Sequence, residues 1–388
     1  MPPLWPLVPY TASGTSRNDD GLAHEGDPVF PYLAMLAVPS SLALTGARRA
    51  GFLLVLVGLF YWLMIGFRFQ VGADWNNYIF IYQWKRAYPL TYLLFDREPG
   101  YGALMWVTSR MGWTMLFINA VSALVFCVGL VAVARRCREP WLAIVIATPL
   151  LAVAFAMSAV RQAMAGGIIF YLFATWQQRG TIARFFFVGL AMLFHFSAVF
   201  VLIFVALAAR APPVVKFTAA AAIAILLLLI VRFAPSSMEA YSRLYVGTQG
   251  KMTAPGAIAQ VGILSAAGGL YLINRDRWTE WLGDSDLIRN LAWGSIALLP
   301  VIFISSVGAY RFALYFWPMA MFVFAGYPAL IEAATGRAFY RVMIVVVAFA
   351  MLVGWLQLAN NSLPWWPYRN WLIEQPEGSL ISYKPYKR

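Results

Sequence analysis

Long apolar runs most restrict how this chain can fold. The runs Ala219–Val231 and Tyr340–Leu358 are almost entirely apolar and do not alternate between apolar and polar residues. Backbone polar groups in lipid must be paired within the protein, which leaves helical bundles and closed barrels as spanning structures. Because barrel strands alternate and these runs do not, they indicate helices. The chain is predicted to be an all-α polytopic membrane bundle of about 10–12 membrane helices.

Composition and charge narrow the class of function. Charged residues make up 12% of the chain and hydrophobic residues 62%, whereas soluble domains carry about 25% charged residues. The net charge is +13. The basic residues lie at helix ends and in loops, where membrane topology and anionic lipid account for many of them. We therefore expect membrane lipid as a partner and no nucleic acid. No nucleotide-binding loop is present, and the two cysteines and two histidines form no metal pattern, so no cofactor and no metal are expected.

The chain divides into three predicted regions. Residues 1–28, rich in Pro, Ser, Gly and Asp, read as a disordered tail without a cleavable signal. Residues 29–360 form the transmembrane domain, with an extracytoplasmic loop at 68–113, and residues 361–388 form an aromatic and basic tail. Within the loop, 99–112 is expected to be an interfacial helix with Pro99 in its first turn. The run 182–209 is either one crossing or a helical hairpin, and charge does not decide between them.

The polar interval from Arg68 to Tyr101 is the longest inside the membrane region. In it, Asp74 stands beside Trp75 and Tyr78, an arrangement that holds sugars when the ring stacks and the carboxylate accepts from hydroxyl groups. The alternative is that Asp74 caps the following helix. Glu98, directly before Pro99, is either a site residue or a favourable charge at a helix start.

Arginines are the candidate anion ligands. Basic residues outnumber acidic residues in the predicted outer loops, contrary to the positive-inside rule. Binding of a lipid diphosphate would explain this excess. The planar guanidinium donates two parallel hydrogen bonds to phosphate. Arg161 lies between short apolar segments, where an unpaired arginine costs at least ~2.5–3.5 kcal/mol; it either binds phosphate or snorkels to the interface. Arg311 begins a span in the same way, and Arg68 ends a helix, where it is either structural or a ligand.

His195 lies deep in the apolar run as Phe194-His195-Phe196-Ser197. A histidine in such a place is either a satisfied structural residue or a functional group, and ionisable groups inside membranes are commonly functional. As a functional group it would be a general base for a hydroxyl or a donor to a phosphate.

Five short motifs occur in order and together resemble the EpsG family of Wzy-like exopolysaccharide polymerases. They are Val71-Gly72-Ala-Asp74-Trp75-x-x-Tyr78, Glu98-Pro99-Gly100-Tyr101, Arg161-Gln162, Phe194-His195-x-Ser197 and Tyr310-Arg311-Phe312. The resemblance covers about Gly51 to Tyr368. It implies a fold related to C-type glycosyltransferases and a polyprenyl-diphosphate sugar donor, without nucleotide or metal. It also favours the hairpin at 182–209, because the hairpin lets Arg161 and Arg311 share the outer face.

The resemblance thus implies a multi-pass polymerase of the bacterial inner (cytoplasmic) membrane. Its substrate would be an undecaprenyl-diphosphate-linked oligosaccharide, transferred to the sugar of another lipid-linked unit. Catalysis is expected from His195, Asp74, Arg161 and Arg311, and substrate binding from Arg68, Tyr78, Glu98, Tyr101 and Arg97. Candidate partners are a flippase and chain-length or export proteins. The alternatives are a glycan ligase or acyltransferase, and a transporter or flippase of lipid-linked oligosaccharide.

Overall fold

The computed structural model describes residues 29–46, 51–95, 98–209, 211–233, 254, 256–282 and 285–374. Across them the chain is helical, with one isolated bridge and no strand, which confirms the all-α membrane bundle. Five of the described helices are long and apolar enough to cross a membrane. Shorter apolar helices of 10–17 residues accompany them. The tail predicted at 1–28, residues 375–388 and the candidate Arg97 lie outside the described residues.

The helices follow the apolar runs of the sequence. Their bounds are α1 Phe30–Leu44, α2 Gly51–Gly66, α3 Trp75–Lys85, α4 Leu90–Leu94, α5 Pro99–Arg110, α6 Met115–Ala134, α7 Pro140–Ala147, α8 Val160–Ala174, α9 Thr181–Met192, α10 Leu202–Leu207, α11 Pro213–Phe233, α12 Gly256–Ile273, α13 Arg275–Leu282, α14 Asp286–Ile304, α15 Ser306–Ala313, α16 Trp317–Gly326, α17 Ala334–Leu358 and α18 Trp371–Glu374. A π-helical segment, Thr148–Ala156, continues α7. A helix is present where one was predicted at 99–112: it is α5, with its proline in the first turn, and its location at the membrane interface stays a prediction.

Among the described helices, α6 and α8 pack closely on one another. A Cβ on Gly129 of α6 would lie 2.2 Å from the carbonyl oxygen of Gly167 in α8. A Cβ on Gly167 would in turn lie 2.4 Å from the carbonyl oxygen of Val125. Small residues allow membrane helices this close approach. The pair fixes α8, whose first turn carries Arg161.

The run 182–209 folds as a helical hairpin. Helix α9 is followed by a turn at residues 193–195, a 3₁₀ segment (Phe196–Val201) and α10, and the two limbs pack on one another. Helix α9 has 12 residues, about 18 Å at 1.5 Å per residue, and is shorter than a hydrocarbon core of about 30 Å. His195 therefore lies at the tip of a short hairpin.

The predicted outer loop is a small folded unit with its own apolar core. Helices α3 and α5, the segment before α3 and the start of α6 bury aromatic and aliphatic side chains against one another and against Val160: Phe69, Trp75, Tyr78, Ile79, Tyr82, Tyr101, Met105, Met115, Leu116 and Ile118. The glycine in its first motif is required by geometry. Gly72 has φ +104°, and a Cβ there would lie 2.1 Å from the carbonyl oxygen of Met157. The loop is thereby held against the segment that leads into α8.

Residues 360–374 fold back over the base of this loop as a C-terminal strap. The Phe69 N–H donates to the carbonyl of Arg369 and the Trp371 N–H donates to the carbonyl of Phe67, both at 2.9 Å. Arg369 Nη1 also donates to Gln70 Oε1 at 2.8 Å. The aromatic cluster in this part of the tail is thus a packed element of the fold, with Trp365 4% exposed.

Candidate active site

The centre of the candidate site is the carboxylate of Glu98, which bridges two of the predicted catalytic residues. Its Oε2 lies 2.5 Å from Arg161 Nη1, and its Oε1 lies 2.6 Å from His195 Nδ1. The Glu98 side chain is 9% exposed, His195 4% and Arg161 28%. Charge-assisted hydrogen bonds of this length are strong and fix orientation. The three side chains therefore form one rigid cluster, which we call the Glu98 triad.

Local structure explains why Glu98 meets His195. The first N–H groups of a helix have no partner inside it, and Pro99 at the first position of α5 has no N–H at all. The N–H groups of Gly100 and Tyr101 instead donate to the carbonyl of Leu193, at 2.9 and 3.2 Å. Leu193 lies in the hairpin turn, two residues before His195. The start of α5 is thereby docked on the hairpin tip, and Glu98 makes no capping hydrogen bond of its own.

Two tyrosines flank Arg161. The Cζ atom of Arg161 lies 5.7 Å from the ring centre of Tyr78 and 5.7 Å from that of Tyr101. The N–H of Arg161 donates to the Tyr78 hydroxyl at 3.4 Å. Cations at this distance are attracted to aromatic faces. Tyr78 and Tyr101 are 6% and 3% exposed, so they position the arginine in this structure.

The electrostatics of the triad favour an ionised Glu98. Burial alone would raise the pKa of Glu98, but the hydrogen bond from His195 and the charge of Arg161 outweigh it and bring the pKa to about 2. An ionised carboxylate only accepts hydrogen bonds. His195 must therefore donate from Nδ1, and in the neutral ring Nε2 then carries the lone pair. This arrangement resembles the carboxylate–histidine pairs that orient a general base.

Arg311 joins the triad through the neighbour of Arg161. Gln162 Nε2 donates to the Arg311 carbonyl at 2.6 Å, and Arg311 is close enough to His195 to influence its charge. The hydroxyl group of Ser197, two residues after His195, lies 2.8 Å from that of Tyr315, four residues after Arg311. The structure thus brings Arg161, His195 and Arg311 to one end of the bundle.

Asp74 and Arg68 lie at the loop side of the same end. Asp74 occupies the position before α3, but its side chain makes no capping hydrogen bond. Its N–H donates to Ser158 Oγ at 3.3 Å, three residues before Arg161. Arg68 is 2% exposed and donates to the carbonyls of Ile65 and Val71. Burial lowers the pKa of Arg68 to about 10, so it keeps its charge at neutral pH.

Two features of the site add to what the sequence pattern indicates. Glu98 precedes a helix start, as its place before Pro99 indicates, and the structure also places its carboxylate between Arg161 and His195. The aromatic segment that carries Arg369, predicted as a tail, packs against the base of the loop. Both features depend on contacts between residues far apart in the chain, so no local signal could have found them.

Comparison with known proteins gives one match. A family model described as the EpsG family matches residues 51–370. This range contains every described residue of the candidate site. No curated protein and no solved structure was found to match the chain.

Proposed function

The chain belongs to the EpsG family, and on that premise we propose that it polymerises exopolysaccharide repeat units in the bacterial inner membrane. It transfers a glycan from a polyprenyl-diphosphate carrier to a sugar hydroxyl of a second lipid-linked unit at the outer face. The observation that carries the proposal is the Glu98 triad, which holds a histidine and an arginine on one carboxylate.

His195 serves as the general base. Its Nε2 takes the proton of the acceptor hydroxyl while the oxygen attacks the anomeric carbon of the donor sugar. The bond from that carbon to the diphosphate oxygen breaks, and the diphosphate leaves with the electron pair. Glu98, hydrogen-bonded to Nδ1 at 2.6 Å, stabilises the imidazolium that forms.

Arg161 and Arg311 stabilise the leaving diphosphate. Negative charge grows on the bridging oxygen as the bond breaks, and fixed positive groups aimed there lower the barrier. Glu98 faces one side of the Arg161 guanidinium, which has five N–H donors in all. Arg68 contributes positive charge from its buried place without direct contact.

The loop side receives the acceptor sugar. Asp74 accepts from sugar hydroxyl groups, because its carboxylate makes no capping hydrogen bond. Tyr78 and Tyr101 shape this side by fixing Arg161, and Arg97 belongs to the same loop. The carrier–sugar bond of the donor supplies the driving force, so the transfer needs no nucleotide hydrolysis.

Arginine variants test the assignment in cells that lack the native chain. Arg161→Ala and Arg311→Ala should abolish long polymer while the protein stays in the membrane. Arg110→Ala is the matched control, since this exposed arginine of the same loop lies over the Trp106 ring, 5.6 Å from its centre. Polymer of full length from both site variants would refute the proposal.

Product analysis separates the alternatives. Loss of a polymerase leaves single repeat units at the outer face, whereas loss of a transporter or flippase leaves them at the inner face. A ligase or acyltransferase variant would still make the full ladder of polymer lengths but would not attach or acylate it.

A further inference from the structure

A second cavity opens beside the site, between the hairpin and α14. It has a volume of about 730 Å³, within the roughly 300–1,000 Å³ usual for ligand pockets. Its walls are the second limb of the hairpin, the first turn of α11 and one face of α14. Most lining residues are apolar, and five are aromatic: Phe200, Phe204, Phe217, Trp293 and Phe312. The groove is mainly apolar, and three polar side chains also line it at the start of α11 and α14: Lys216, Arg289 and Asn290.

The groove is long and open to the surroundings of the bundle. On α14 its lining runs from Arg289 to Val301, about 18 Å at 1.5 Å per residue. Trp293 and Ala297 recur at a four-residue spacing, as expected for one helix face. Trp293 is 60% exposed and Phe217 67%. A linear apolar chain could therefore enter sideways from lipid.

One end of the groove adjoins the candidate site. The rings of Phe200 and Phe312 lie 4.8 Å apart and line the groove together. Phe312 directly follows Arg311, and Phe200 belongs to the 3₁₀ segment that begins after His195. A chain whose head group lies at this end of the groove would bring that head group beside Arg311.

We propose that the groove binds the head-proximal part of the donor's polyprenyl chain, an inference that rests on the proposed function. The flat, unsaturated isoprene units suit the aromatic walls, and the anionic head suits the arginine at the end. The donor then approaches from the Arg311 side and the acceptor from the loop side. A phospholipid fits less well, because the single phosphate of its head group carries less charge to Arg311 than a diphosphate does.

Photolabelling tests the groove without relying on polymer formation. The probe is a polyprenyl diphosphate with a diazirine near its head, applied to the full-length protein in lipid nanodiscs. Labels should map to the Arg311 end of the groove, at Phe200, Val301 and Phe312, and should be competed by unlabelled polyprenyl diphosphate but not by phosphatidylglycerol. Equal competition by phosphatidylglycerol, or labels elsewhere, would overturn the proposal.

Groove-filling variants sharpen this test. Ala297→Trp should lower labelling at least ~10-fold, as expected for losing contact with a few methylene groups. Ala350→Trp is the matched control, an exposed alanine of α17 outside the groove. Ala297→Leu provides a smaller filling change should the tryptophan prevent folding. Unchanged labelling in the folded Ala297 variant would also overturn the proposal.

The two proposals fail in different ways. Specific labelling of the groove in a protein that forms no polymer would refute the proposed function, whereas the proposal that the groove binds a polyprenyl chain would stand. Polymer formation without labelling of the groove would refute only the proposal that the groove binds a polyprenyl chain.

Discussion

His195 Nδ1 lies 2.6 Å from Glu98 Oε1, across 97 residues of chain. The other oxygen of the same carboxylate lies 2.5 Å from Arg161 Nη1. One buried acid therefore orients the candidate base and holds the candidate phosphate ligand. A change at Glu98 should affect both the removal of the acceptor proton and the stabilisation of the leaving diphosphate, which makes it the most informative position in the site.

Glu98→Gln should lower the elongation rate by about 10²–10⁴-fold, because the amide cannot stabilise an imidazolium and loses the charge that holds Arg161. The rate is measured with purified protein and lipid-linked repeat units. Glu332→Gln is the control, since this glutamate is exposed. An elongation rate for Glu98→Gln equal to that of the native protein would show that the carboxylate has no role in transfer.

The pH dependence of elongation should have an acid limb that belongs to His195. Glu98, with its pKa at about 2, stays ionised throughout a titration from about pH 5 to pH 8, whereas burial holds the pKa of His195 below its ordinary value. The rate should therefore fall as the pH drops and His195 becomes protonated. In Glu98→Gln the residual rate should show this limb at lower pH, because removing a neighbouring carboxylate lowers a histidine's pKa. A limb unchanged in position would contradict the pairing.

Gly72→Ala should destabilise the outer loop and reduce activity. The left-handed φ of +104° and the Met157 carbonyl oxygen 2.1 Å from the added Cβ should together lower the free energy of unfolding by at least ~1–3 kcal/mol. The measurement is detergent-solubilised denaturation followed by tryptophan fluorescence.

Gly112→Ala is the matched control for Gly72→Ala. Gly112 has φ +70° with nothing within 4 Å of an added Cβ, so only backbone strain of about 1 kcal/mol is expected. Equal losses of stability in both variants would show that the contact with Met157 does not matter.

Away from the candidate site, Glu139 and Arg341 form a buried ion pair. Two hydrogen bonds, at 2.6 and 2.8 Å, connect the start of α7 to α17. Glu139→Gln should lower the free energy of unfolding by about 3 kcal/mol, since it leaves a largely buried arginine without its charge partner. The partly exposed pair of Asp286 with Arg289 is the comparison, and Asp286→Asn should cost no more than ~0.5 kcal/mol. A reversed order of the two losses would contradict this assignment.

Much of this architecture could be predicted from local pattern. The apolar runs predict α6, α12, α14 and α17, and Pro99 predicts the start of α5, because both signals lie within a few residues. A functional role for Arg161, His195 and Arg311 is also expected from the cost of placing ionisable groups in lipid. The Glu98 bridge could not be predicted, because it depends on how α5 docks on Leu193 of the hairpin.

Reconstitution of the purified chain in proteoliposomes tests the central claim most directly. The vesicles contain a synthetic polyprenyl-diphosphate repeat unit, a chelator and no nucleotide, and products are followed as polymer length together with released polyprenyl diphosphate. We predict a ladder of lengths with one carrier diphosphate released for each linkage, and its loss with His195→Gln and Arg311→Ala. A native protein that moves repeat units across the bilayer without joining them, or a ladder that survives both substitutions, would contradict the account.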